Sequence, residues 1–258
     1  MRKASRRRGR AREAHLPRRQ LAFVASVGLA VAAAGVSAFA LRGPVVDPET
    51  DCLAAAPPPA SRVMAIDTTD RLVGPQMETV RAVSRRLIAE LPEQGRLALV
   101  EIRDGGPSEL QPLLDRCVPR LNSNRARRRF EALVEEPLNE ELGKLRRRPD
   151  APQSPVMETT FAIAAEPRWR DSAGRVTIVI ATDAMQNTDA LSFYRRGDRN
   201  PIVGRPLKKV SVILVPLRNE RDLARQGAAF DRLVEELQGA GAEVTYQRPP
   251  WLAFEEVR

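Results

Sequence analysis

Histidine is almost absent: the 258 residues hold one, His15, inside an arginine-rich N-terminal stretch. The rest of the chain therefore has no Ser-His-Asp or Cys-His arrangement and no histidine to bind a metal. Aromatic residues make up only 4%, and none interleaves with a basic run as a stacking platform for nucleic-acid bases requires. Phosphate-cradling and nucleophile signatures are missing too. There is no G-x-x-x-x-G-K-[ST] and no G-x-S-x-G, and Val244 stands where a third glycine would complete the motif begun by Gly239-Ala240-Gly241. An Asp-x-Asp phosphotransfer loop would need an acid where Thr69 stands. No catalytic constellation emerges, and the expectation is a protein that is not an enzyme.

The formal charge of +9 would ordinarily point to nucleic acid. Its distribution removes that reading. Residues 1–42 carry ten of the 42 bases and one of the 33 acids, Glu13, which leaves 32 of each in residues 43–258. The bulk of the chain is neutral, and no nucleic-acid partner is expected.

Long apolar runs are also rare, with one exception. Leu21 to Leu41 is uncharged over 21 residues, which at 1.5 Å rise per residue matches a hydrocarbon core of about 30 Å. Nine bases precede it, whereas Arg42 is followed by Asp47, Glu49 and Asp51. The positive-inside rule then keeps the N-terminus in the cytoplasm and exports the remainder. The organisation read from this is a basic cytoplasmic tail (1–20), a transmembrane helix through membrane lipid (21–41), a Pro-rich stalk (42–61) and a domain (62–258) in the periplasm or outside. Two other readings stand beside it. Ala38-Phe39-Ala40 has the form of a signal-peptide cleavage site, and Arg18-Arg19 has the form of a twin-arginine export signal.

Only two cysteines occur, Cys52 and Cys117, with no Cys-x-x-Cys pair to tune redox reactivity. In an oxidising compartment they are expected to form a disulfide. It would pin the segment after the apolar run to the domain.

Within 62–258, strands alternate with helices. Arg62–Asp67, Arg96–Ile102, Arg175–Thr182, Lys208–Leu217 and Ala242–Gln247 read as strands, and Leu110–Cys117 as a short strand at the sheet edge. Met77, Val80, Val83, Leu87, Ile88 and Leu91 repeat at helical spacing after Gly74-Pro75. A charged segment, 123–147, carries one apolar stripe (Phe130, Leu133, Val134, Leu138, Leu142) and Pro137. Pro155–Ala165 and Asp222–Leu237 read as helices, the latter closed by Gly239 and Gly241. The fold class expected is α/β: a doubly wound, mostly parallel sheet with helices on both faces.

In such sheets ligands sit at the carboxyl ends of the strands, near the point where strand order reverses. Two carboxylates stand at such ends, Asp67 and Asp183. The structural reading is that they cap helices and tie loops by hydrogen bonds. Gln186-Asn187-Thr188-Asp189, close after Asp183, reads as a polar loop and helix cap.

The run Asp67-Thr68-Thr69-Asp70-Arg71 resembles the von Willebrand factor A-type domain family, whose first strand ends in Asp-x-Ser-x-Ser. The resemblance covers the strand–helix order of residues 62–248 and implies a metal-ion-dependent adhesion site for Mg²⁺. By position Asp67 and Thr69 match the first ligands, Ser154 the middle one and Asp183 the last. Arg71 replaces the third hydroxyl, and Asp70 offers an oxygen in compensation. Ile66–Asp70 with Thr182–Tyr194 is also similar to uncharacterised bacterial single-pass membrane proteins carrying degenerate domains of this type. The function implied is a membrane-anchored, extracytoplasmic protein-binding module. The alternatives are a structural subunit of an envelope or secretion assembly, in which helix faces make the contacts, and a hydrolase using a carboxylate-bound metal, which needs a third acid such as Asp70.

Overall fold

The structure is a computed structural model that describes residues 45–104, 110–119, 124–195, 204, 206–247 and 249. The basic tail and the apolar run at 21–41 lie outside the described residues. Among those described, no helix is long and apolar enough to cross a membrane.

Six strands form one sheet: β1 (Ser61–Asp67), β2 (Arg96–Ile102), β3 (Leu114–Cys117), β4 (Val176–Thr182), β5 (Val210–Pro216) and β6 (Glu243–Tyr246). Their order is β3-β2-β1-β4-β5-β6, all parallel except the antiparallel edge strand β3. Chain order runs outward from β1 to β3 in one direction and from β4 to β6 in the other. The switch point therefore falls between β1 and β4, the two most central strands.

The central strands are apolar on both sides, and alternation assigns each side chain to a face. Val63, Ala65, Ile178, Ile180, Val212 and Leu214 pack into a core with α3 (Val156–Ala165), α4 (Pro167–Arg170) and α5 (Leu223–Gly239). Met64, Ile66, Leu97, Leu99, Val179 and Ala181 pack on the opposite face with α1 (Gly74–Ala89) and α2 (Asn124–Leu145). The expected α/β sheet with helices on both faces is thus observed, and each fully buried Val, Leu or Ile contributes roughly 1.5–3 kcal/mol.

Local chemistry explains the helices. Pro75 occupies the first turn of α1, and the Gln76 side chain accepts a bond from the free Val73 N–H at 2.8 Å. Helix α2 runs through Pro137, held by the buried Phe130, Val134, Leu138, Leu142 and Leu145. Helix α3 is apolar almost all round and is correspondingly buried. The short α4, which the periodicity does not reveal, is anchored by the fully buried Trp169.

Cys52 and Cys117 are joined in the expected disulfide, with Cα atoms 4.9 Å apart. The segment before β1 is held on the sheet rather than standing off it. Val46 bridges Leu53, the Cys117 N–H donates to the Thr50 carbonyl at 2.7 Å, and the Ala173 N–H donates to the Pro58 carbonyl at 2.9 Å. The compact unit accordingly begins at Val45, where the composition alone places a stalk up to residue 61.

Candidate functional site

Register builds the site. Ile66 is opposite Ala181 in the β1–β4 pairing, so Asp67 leaves β1 level with Thr182 at the end of β4. The Thr182 hydroxyl donates to Asp67 Oδ2 at 2.7 Å. Two residues past the strand, Thr69 donates to Asp67 Oδ1 with both its hydroxyl (2.6 Å) and its N–H (3.1 Å), an Asx-type turn. The Ala151 N–H donates to the Thr69 carbonyl at 2.7 Å and draws the loop before α3 over the strand end. That loop delivers Ser154, whose hydroxyl donates to Asp67 Oδ2 at 3.1 Å. Asp67 is therefore a buried carboxylate surrounded by three hydroxyls.

Asp183 is buried beside it. Its Oδ1 accepts from the Met185 N–H at 2.9 Å, and its Oδ2 from Asn219 Nδ2 at 2.6 Å. Burial, followed by the charge of Asp67, pushes Asp183 up to about 7, against the downward pull of the Asn219 and Met185 donors. The same Asn219 amide donates to Asp70 Oδ2 at 2.7 Å and so ties two acids together. Burial also raises Asp70, while Arg221 opposes the shift. Arg221 bridges outward, 3.4 Å from Asp70 and 3.1 Å from Asp150, and its hydrogen bond holds Asp150 below the usual carboxylate range. Asn219 itself is fixed by Gln226 of α5, which is fully buried. Its Oε1 accepts from the Asn219 N–H, and its Nε2 donates to the Asp183 and Leu217 carbonyls.

A cleft of about 230 Å³ opens at this rim, lined by Asp70, Arg71, Asp183, Asn219 and Arg221 among others. Ala184, next to Asp183, adopts a left-handed φ of 65°, a conformation that a non-glycine residue holds only where its surroundings enforce it.

Four residues singled out from the sequence, Asp67, Thr69, Ser154 and Asp183, converge here, and Asp70 joins through Asn219. Thr182, Asn219, Gln226, Asp150 and Arg221 complete the cluster and were not foreseen. Thr182 was legible, since it precedes Asp183 and its register follows from the strand. Asn219 lies just past the end of β5, a parallel strand next to the switch point, and its place there was the available signal. Neither Asp67 nor Asp183 caps a helix; each ties its own loop instead. Capping falls to Gln186, whose Oε1 accepts the Met157 N–H in the first turn of α3.

Among the described residues no three Asp, Glu, His or Cys side chains group as a metal site. The oxygens around Asp67 are hydroxyls and one further carboxylate. Such a donor set suits a hard cation in kind, and among the described residues no cationic side chain pairs with either buried acid. The residues present thus fit an oxygen-coordinated divalent ion.

Compared with known proteins, the chain matches no sequence family and none of the curated proteins. Among solved structures it is similar to the human COPII-coat protein Sec24c at 14% identity, with a TM-score of 0.40. That match covers 74% of this chain and 30% of the other. The chain thus spans under a third of the length of that protein.

Proposed function

We propose that this chain is a membrane-anchored, protein-binding module: a von Willebrand A-like domain held outside the cytoplasm by residues 21–41 and recognising another protein at the Asp67/Asp183 rim. The observation that carries the reading is the convergence of Thr69, Ser154 and Thr182 on Asp67 at the switch point, with Asp183 alongside. Asp67, Thr69, Ser154 and Asp183 would hold Mg²⁺ as a degenerate metal-ion-dependent adhesion site. Bound there, the ion would supply positive charge where the protein itself places two buried acids. Thr69, Ser154 and Thr182 each donate a hydrogen bond to Asp67; the Thr182 oxygen also accepts from the Ala184 N–H at 2.9 Å, which leaves the lone pairs of Thr69 and Ser154 for a cation. Asn219 and Gln226 keep Asp183 in place, and the Arg221 bridge borders the cleft that a partner would enter.

Calorimetric titration of the protein with Mg²⁺ and Mn²⁺ tests the metal. Binding heat and a rise in Tm are expected for the natural sequence, with both lost in Asp67→Ala. Neither heat nor a thermal shift in the natural sequence would overturn the metal part of the reading.

A further inference from the structure

The opposite end of the sheet, where the parallel strands begin, carries a second cleft of about 700 Å³. Arg170, at the end of α4, and Arg175, Lys208 and Lys209, in the turns that lead into β4 and β5, lie along it. Arg170 is paired with Asp171 and Arg175 with Glu243. Lys208 and Lys209 are exposed, and neither makes an ion pair among the described residues. The cleft thus has two uncompensated positive charges.

The chain reaches the domain at this same end. Pro58 accepts a backbone bond from Ala173, and a Cβ on Gly174 would stand 2.5 Å from the Pro59 carbonyl, so the segment before β1 is pressed against the cleft wall. Val45 and Val46 are exposed there. Between Leu41 and Val45 the chain is four residues long and, fully extended, reaches no more than about 14 Å. If 21–41 spans a bilayer, the bilayer surface lies within that reach of Val45.

We propose that the end of the sheet at which β4 and β5 begin docks on an anionic lipid bilayer, with Lys208 and Lys209 against the lipid phosphates. The proposal rests on reading residues 21–41 as a membrane anchor. Charge also sets the lean of the domain. The loop at 45–53, near β2 and β3, carries Asp47, Glu49 and Asp51, of which Asp51 is matched by Arg116. An anionic surface repels that side and attracts the β4–β5 side. A tilted seating presents the rim with Asp67 and Asp183 away from the lipid. Each basic residue near an anionic surface strengthens attachment about fivefold, and salt screens it.

The lysines themselves provide the test, since the chain has only Lys3, Lys144, Lys208 and Lys209. Lys144 lies in the last turn of α2, toward the rim, and serves as an internal reference. The full chain is reconstituted into bilayers of phosphatidylcholine alone or with phosphatidylglycerol and treated with an amine-reactive label, and each lysine is read by mass spectrometry. Labelling of Lys208 and Lys209 is expected to fall about fivefold or more in the anionic bilayer, to return at high salt, and to stay unchanged at Lys144. Equal labelling in both bilayers, from a chain that resists alkaline carbonate extraction, overturns the docking proposal alone. Release of the chain by carbonate overturns the anchor reading and the docking proposal with it.

Discussion

Where β2 begins and the edge strand β3 ends, acids meet arginines: Asp115 grips Arg96 through two bonds of 2.6 and 2.8 Å, and Asp51 holds Arg116. A disulfide closes the chain at the same place. At the end where the strands finish, Asp67 and Asp183 are buried more deeply than Asp115 or Asp51, and among the described residues their partners are hydroxyls, amides and each other. The first arrangement neutralises charge and restricts the unfolded chain. The second leaves charge uncompensated, which a fold tolerates where the groups serve something other than stability. The contrast separates a stabilising base from a rim built to receive a ligand.

The largest break in that contrast comes at the base. Replacing Cys52 and Cys117 together by serine opens a loop with a sequence separation of 65 residues and is expected to lower stability by about 4 kcal/mol. Urea unfolding of the double variant measures this, with no change in Mg²⁺ heat at the rim. At the rim, Asp67→Ala strands the hydroxyls of Thr69, Ser154 and Thr182 and is expected to cost about 2 kcal/mol, partly offset by relief of Asp183. The signature that separates charge from packing is the titration of Asp183. With Asp67 gone, its midpoint should move down from about 7 toward the ordinary carboxylate range.

How much of this was legible in the sequence follows from which signals are local. Buried strands such as Val176–Thr182 announce themselves by apolar, β-branched runs, and the strand–helix alternation fixes a parallel sheet. Asp67 and Asp183 were found because a carboxylate ending an apolar strand stands out. Asn219 and Gln226 were not, since an amide after β5 and another in the first turn of α5 look like ordinary loop and helix residues until the chain brings them against Asp183. The segment before β1 misled for a related reason. Proline and the lack of periodicity describe its conformation, whereas its attachment comes from Cys117 and Ala173, far along the chain.

A pH series sharpens the account of Asp183. A carboxyl whose folded pKa lies above its unfolded value holds its proton more tightly in the native state. Stability therefore falls as pH rises from the unfolded value, near 4, to about 7, and this group adds no further loss above that. The slope from a single proton cannot exceed about 1.4 kcal/mol per pH unit. Asp183→Asn should flatten the decline between pH 4 and 7 in urea-unfolding series, and a slope identical to the natural protein's would show that Asp183 is not the group responsible.

The smallest expected effect lies outside the buried pair. Arg221 is 72% exposed at its side chain, so its bridge to Asp70 and Asp150 is screened by water and salt. Arg221→Ala should leave Tm unchanged within error. It should still register in carboxyl titrations followed by NMR, with Asp150 rising toward the ordinary range because its chief hydrogen-bond donor is gone. Asp70 should rise further, since the guanidinium is the main influence holding it down against burial. A large drop in Tm instead would mean that the rim depends on this cation for its integrity, and the division between a stabilising base and a rim built to receive a ligand would fail at that point.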